Sequence, residues 1–582
     1  MAAPKFQELK LLHDRLEKTV SAPARRVLSN QIKTLIVEPE SLALLSKDPF
    51  MLPEGVQQSG LDVSEVINNL SFVIVLLDFT EHDDRGDLRL ADSALQRIRQ
   101  IWYQLVAWIE YIHPPTLATY SRMWIPPYVL GGLLCAIFRT KARLADQLAQ
   151  TSQVYRIFID LWLQSLTYAG EPVLSKTTLT AFDNLANAVP FVFSIEGQPP
   201  SCIDPFAKEE ALTLVRHRVG DLYKLATSCL QQCVRCNDPA SKQSTFDQIS
   251  AMRYLVVRVL PMTCFPRAVV RTIVYVARVL STRPDELDSA NSACRLVEDI
   301  WEKATDDRSI IWALRDGILP VIVALNRNDE LTPTIKIVVK RAIYLPVARA
   351  LAALPERVDL RNAGINPEMA NSAHEELIDR ISFAIWLDRK ICANSACPDR
   401  HSDVEQRYRR CACFQVHYCS KSCQVADWPV HKALCNRGTL FEIVEVEEKP
   451  DIRPLHAFFT CLAIDSYFYR VGQGIMAEME DMLREVSCPV TFSVGLDFSL
   501  FSPPLHPGKI RAHRYRSEGD EAESYEATVT AIAHLGRLRG VMVAVKTKRW
   551  SLSQFRQITE TLPTYRWRGH HFREMVDSWL AG

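Results

Sequence analysis

Seven cysteines and His431 are spaced as metal donors within the stretch 392–435: Cys392, Cys397, Cys411, Cys413, Cys419, Cys423, His431 and Cys435. Thiolate sulfur and neutral imidazole are donors that zinc prefers, and four such donors close a tetrahedron. Eight donors therefore fill two closed sites and leave no position for a metal-bound water, which is the composition of a structural rather than a hydrolytic centre. Cys419 and Cys423, like His431 and Cys435, are four residues apart, so each pair projects to one side of a helical turn and supplies half a tetrahedron. Ser420 and Pro429 suit the starts of two short helices there. Cys392 with Cys397, and Cys411 with Cys413, would come from loops. Alternate residues of an extended strand point to one side, so both sulfurs of Cys411-Ala412-Cys413 reach one ion. His401 and His417 are alternative imidazole ligands for the second site.

These donors need a scaffold, and the flanking patterns predict one. Residues 1–390 read as almost wholly helical, with candidate segments at 87–113, 141–168, 207–236, 289–304, 309–326 and 331–353. Ser244-x-x-Asp247 resembles a capping signal ahead of a stripe of Phe246, Ile249, Met252, Leu255, Val256 and Val259. Pro261 ends that helix, and Pro266 opens the next, which carries Val269, Ile273, Val276 and Leu280. Such hairpins stack in armadillo- or HEAT-like arrays, although no strict repeat is present. A loop at 355–371 and a helix at 372–390 lead into the cysteine cluster. Beyond it, β-type runs at Phe441–Val446, Val490–Phe498 and Gly540–Lys546 alternate with helical stretches at 453–485, 519–537 and 551–561. The acidic run Glu518–Glu526 reads as a solvated helix start. The expected organisation is thus a mainly α protein with a helical region 1–390, a zinc module 392–435 and an α+β domain 440–582.

Composition sets further bounds. The 582 residues are 48% apolar and 23% charged, and 68 basic side chains cancel 68 acidic ones, so there is no global field to draw nucleic acid or anionic lipid. The apolar runs near Phe72–Phe79 and Tyr128–Phe138 read as too short to span a bilayer, and the charged N-terminus lacks a signal-peptide core. These readings imply an intracellular protein, cytoplasmic or nuclear, without a membrane partner. The cysteines outside the cluster form no framework. Cys229, Cys233 and Cys236 have no fourth ligand nearby and read as core packing. The adjacent His570 and His571 would point apart on a helix, and Trp124-Ile125-Pro126-Pro127 reads as a turn before a buried helix.

The segment Tyr418–Cys435, YCSKSCQVADWPVHKALC, resembles the second half of a MYND-type zinc finger: an aromatic, Cys-x3-Cys-Gln-x2-Asp-Trp, then His-Lys-x2-Cys. Tyr418, Gln424, Asp427, Trp428 and Lys432 match in addition to the ligands. The four residues between Cys392 and Cys397 are a widening similar to that of fungal-looking members. The single residue between Cys411 and Cys413 departs from the usual two, which is expected to alter the turn that donates amides to the thiolates. The resemblance implies interleaved binding of two Zn²⁺ ions. Cys392, Cys397, Cys419 and Cys423 would hold the first, and Cys411, Cys413, His431 and Cys435 the second.

The resemblance also implies a function in protein–protein recognition. Family members accept proline-containing peptides in a shallow groove, so Gln424 and Trp428 become the expected peptide contacts. Trp428 alternatively covers the second zinc. Six basic and four acidic residues lie between 392 and 435, and seven thiolates with two Zn²⁺ bring the loaded module to about −1. A nucleic-acid reader would carry a clear positive surface instead. The expected role is a zinc-dependent scaffold or adaptor, regulatory in kind and not an enzyme. The rival is a protein lysine methyltransferase or another enzyme with its site in the C-terminal domain. The cofactor segment of such methyltransferases has only a loose echo here, Asn291-Ser292-Ala293-Cys294.

Overall fold

A computed structural model describes residues 2–551 except for several stretches, the longest being 53–62, 82–87, 117–126, 170–175, 399–407, 436–441, 447–452, 498–509, 515–525 and 533–542. Trp124–Pro126, His401, Cys488 and the tail with His570 and His571 lie outside the described residues. The chain divides into two compact units, Met1–Lys303 and Ala304–Gly582.

The first unit is helical. Its principal helices are α1 (Ala2–Lys18), α2 (Ala22–Val37), α3 (Val63–Glu81), α4 (Leu88–Gln100), α5 (Trp102–Ile112), α6 (Pro127–Arg139), α7 (Gln153–Ala169), α8 (Lys176–Phe193), α9 (Pro205–Leu214), α10 (Val219–Cys236), α11 (Ser241–Tyr254), α12 (Arg267–Ser281) and α13 (Leu287–Lys303). Helices α1, α3, α6, α8, α11 and α13 pack in that order as successive neighbours, while α7, α10 and α12 form a parallel row. Across the rows α7 rests on α6 and α8, α10 on α11, and α12 on α13, which is the neighbour order of stacked helical hairpins. Between the rows, Trp162 donates to the Gln248 amide oxygen at 2.8 Å and Gln248 donates to the Ala226 carbonyl at 2.9 Å, so a buried polar chain ties α7, α11 and α10.

Several expectations change here. Helix α11 starts at Ser241, and Ser244 is not its cap: buried mid-helix, its hydroxyl faces the Leu179 carbonyl at 3.4 Å. The Leu255–Val259 segment widens into a π-helical turn before Pro261. Helix α3 is longer than the apolar run at 72–79, and Val63–Thr80 is long and apolar enough to cross a membrane by length and composition. In the fold it packs against α1, α4 and α6 with Leu70, Val73, Leu76 and Leu77 buried, as a core helix does. Cys229 and Cys233 are buried as well. Cys229 donates to the Leu163 carbonyl at 2.8 Å, and burial pushes its thiol up to about 12.

The second unit opens with α14 (Arg308–Arg315), α15 (Ile318–Leu325), α16 (Thr332–Arg341), α17 (Leu345–Ala352) and α18 (Pro367–Asp388). The predicted 309–326 helix breaks at Gly317, whose φ of 86° lies in the left-handed region that glycine tolerates. Strands β1 (Arg409–Arg410) and β2 (His417–Tyr418) and helix α19 (Lys421–Cys435) then form the zinc module, and α20 (Pro454–Glu485) follows. Leu345 and Ala348 of α17, Phe383, Ala384 and Leu387 of α18, and Phe459 and Leu462 of α20 make one buried cluster.

The remaining strands are β3 (Glu442–Val446), β4 (Val490–Asp497), β5 (Ile510–Arg514), β6 (Glu526–Ile532), β7 (Val543–Lys546) and β8 (Trp550–Ser551). They form one sheet of order β3-β7-β6-β4-β5, with β8 on β6 and only β4–β6 parallel. An α+β C-terminal part is therefore present, but the helix expected at 519–537 is replaced over 526–532 by a strand. The run Ala-Thr-Val-Thr-Ala-Ile suits a pleated position between β4 and β7 better than a helix. Likewise Ser551 belongs to β8 and not to a helix, and β5 was not expected.

Candidate metal centre

The structure gathers all eight predicted ligands into two sets of four: Cys392, Cys397, Cys419, Cys423, and Cys411, Cys413, His431, Cys435. Within each set the donor atoms lie within 4.8 Å of one another. In the first, Cys419 Sγ stands 3.5 Å from Cys397 Sγ, 3.7 Å from Cys392 Sγ and 3.5 Å from Cys423 Sγ. In the second, Cys411 Sγ is 3.7 Å from Cys435 Sγ, and Cys413 Sγ is 3.4 Å from His431 Nε2. A tetrahedron with Zn–S of ~2.3 Å and Zn–N of ~2.0 Å has edges of about 3.8 Å between sulfurs and about 3.5 Å from sulfur to nitrogen. The observed separations are those edges, so each set fits one zinc ion. When bound, zinc would cross-link the chain through these donors, which come from interleaved pairs along it.

Local structure explains the convergence. Ser420 caps α19: its hydroxyl accepts from the Cys423 amide at 3.1 Å, which fixes the first turn and places Cys423 beside Cys419. In place of the two short helices expected, α19 runs unbroken through Pro429. Proline there withholds a donor from the Val425 carbonyl, and Val425 is exposed. On the loop side, Cys392 bridges to His417, and Ala393 N–H donates to the His417 carbonyl at 2.8 Å.

Cys411 and Cys413 sit in a tight turn and not in an extended strand. The Phe414 amide donates to the Cys411 carbonyl at 2.9 Å, and Phe414 adopts a left-handed φ of 61°. Burial raises the Cys411 thiol, but hydrogen bonds from the Cys413 amide, the Cys413 and Cys435 side chains and the Ala412 amide together more than offset this, leaving it below the ordinary thiol range. The shortened spacing thus still lets neighbouring amides stabilise the Cys411 thiolate. His417 is not a ligand, because the Arg410 guanidinium donates to its Nε2 at 2.7 Å.

Electrostatics favour a cation in each set. Before one arrives, burial together with hydrogen bonding to Cys397, Cys423 and Cys392 pushes the Cys419 thiol up to about 12. The Ser420 hydroxyl pulls neighbouring Cys423 down to about 6. Burial holds His431 below its ordinary value, so its imidazole stays neutral and able to ligate.

Residues other than the ligands support the site. Tyr418, 1% exposed, donates to the Asp427 carboxylate at 2.7 Å, and its ring meets the His431 ring edge-on, behind the second set. Arg410 also donates to the Leu387 carbonyl at the end of α18. Phe414 packs on Phe458 of α20 with ring centroids 5.8 Å apart. The module is therefore fastened to the helices on both sides of it in sequence.

Trp428 and Gln424 are four residues apart on α19 and share a face. Trp428 touches the His431 ring at 6.0 Å yet is 41% exposed. Compared with known families, residues 392–435 match the MYND finger. No curated protein and no solved structure matches the chain. With ligand order, tetrahedral edges and this match in agreement, residues 392–435 are a MYND finger built for two zinc ions.

Proposed function

We infer that the finger presents a docking surface for proteins and that the chain serves as a zinc-dependent scaffold or adaptor, without catalysis of its own. The carrying observation is Trp428. Its helix places Cys423, His431 and Cys435 in the two donor sets, while the indole stays open to solvent beside exposed Val425 and half-buried Gln424. Among the described residues the Gln424 amide has no hydrogen-bonded side-chain partner. A rigid aromatic surface next to an uncommitted amide suits an extended, proline-containing peptide: the ring packs on proline and the amide bonds the peptide backbone. Each set supplies four protein donors, enough to enclose one zinc ion, which supports a structural role for the metal.

Trp428→Ala tests this by fluorescence titration of the full chain with proline-containing peptides selected by the wild type. Loss of an aromatic anchor of this kind costs about 2 kcal/mol, so affinity should fall roughly 30-fold with zinc content unchanged. Equal affinity in the zinc-loaded variant removes the docking reading. The methyltransferase alternative draws little support from Asn291–Cys294, since these residues lie inside α13 with Ala293 and Cys294 buried.

A further inference from the structure

Far from the finger in sequence, one helix of the first unit carries a one-signed face. Arg267, Arg271, Tyr275 and Arg278 of α12 recur at helical spacing and are all exposed, Tyr275 by 41%, while Val269, Val270, Ile273, Val276 and Leu280 face the core. The helix contains no acidic residue. Arg267 occupies its first position, where the helix dipole disfavours a cation.

A second basic group meets this face. Helix α10 lies beside α12 and points the same way: a Cβ added at Gly220 would stand 3.0 Å from Pro266 at one end, and Arg283 donates to the Val234 carbonyl at 3.2 Å at the other. The loop entering α10 is Arg216-His217-Arg218, all exposed. Arg216 and His217 hold left-handed φ angles of 50° and 58°, positions that favour glycine or asparagine. Their amides close α9, donating to the carbonyls of Thr213 and Leu212. Neighbouring acids are already paired: Asp221 with Lys224 at 2.8 Å and, more loosely, with Arg218 at 3.9 Å, Glu286 with Arg283 at 3.1 Å, and Asp285 with Lys242. Among the described residues Arg267 and Arg271 have no ion-pair partner. Two parallel helix N-termini add their positive ends beside the loop.

We propose that this face, Arg267–Arg271–Tyr275–Arg278 with the loop Arg216–Arg218, docks an acidic peptide segment of a partner protein, a recognition surface separate from the finger. From Arg267 to Arg278 the helix rises about 17 Å, which an extended segment of about five residues spans. Arginine binds carboxylates in bidentate fashion, and Tyr275 offers an apolar rest between the charges. The face is short and the chain neutral overall, which fits a peptide better than a nucleic-acid track.

The test is a fluorescence-anisotropy titration of the full chain at low salt with a labelled hexaglutamate peptide, a hexalysine peptide and a single-stranded deoxythymidine oligomer. The proposal expects binding of hexaglutamate that weakens with added salt, no binding of hexalysine, and at least a tenfold loss in Arg267→Glu/Arg271→Glu. Both substitutions are at exposed positions, and an unchanged thermal unfolding curve confirms the fold. Undiminished hexaglutamate binding by the folded double variant overturns the proposal. So does tighter binding of the oligomer than of hexaglutamate at equal salt.

Discussion

Cys419→Ser should remove the first zinc ion and unfold the segment 392–435. A serine hydroxyl keeps its proton at neutral pH and cannot replace a thiolate, while Cys419 stands 3.5–3.7 Å from each of the three other sulfurs of its set. Structural zinc contributes about 10–16 kcal/mol per site in small fingers, far more than so short a segment gains by packing. The second site should weaken too, because Tyr418 and His417 of β2 pair with Arg409 and Arg410 just before Cys411. Elemental analysis is expected to fall from two zinc ions per chain to one or fewer. The loss should spread to α20, since Phe414 packs on Phe458 and Arg410 holds the Leu387 carbonyl. Amide hydrogen exchange over Pro454–Leu462 should therefore rise in the variant. Retention of both ions, or protection across the finger equal to wild type, would contradict this assignment.

Acidification should release zinc in a defined pattern. Each thiolate that binds must first lose its proton, so affinity falls as pH falls. Cys419, raised to about 12 before metal arrives, gives up a proton on binding throughout the neutral range, which alone costs tenfold in affinity per pH unit. Cys423, held near 6, is already charged at neutral pH and adds nothing there. Below about 6 it too binds a proton in the free site, and the dependence steepens by a further tenfold per unit. His431 is lowered from 6.5 and resists protonation longer than an exposed imidazole. A colorimetric chelator competition from about pH 7.5 down to about pH 5 should thus show a slope that increases near pH 6. Occupancy independent of pH over that window would be incompatible with thiolate ligation.

Much of the finger was legible because metal ligands are chemically few and their spacing is restricted. Eight donors named two sites, and i,i+4 pairs placed half of them on a helix. What the residues did not reveal was the partner of each support. Nothing in the sequence ties Arg410 to His417 and Leu387, or Phe414 to Phe458; only the fold brings them together. His417 was a plausible ligand by type alone; only the neighbouring guanidinium removes it from the set.

The helical region was readable for the same reason that α12 was: valine and isoleucine at a period of 3.6 leave few alternatives. Ser244 misled because serine near a helix start suits a cap, yet here a neighbouring helix buries it. In the C-terminal part, local pattern misassigned 526–532. The acidic residues before it suggest a helix start, but its β-branched residues favour a strand and pairing with β4 and β7 decides it.

Metal analysis of the full chain, purified under reducing conditions and quantified against amino-acid content, tests the central claim most directly. The geometry of the two donor sets predicts two zinc ions per chain, with the seven finger thiols shielded from alkylation until a chelator is added. A chain that folds with no stoichiometric zinc, its finger cysteines alkylated at once, would contradict it.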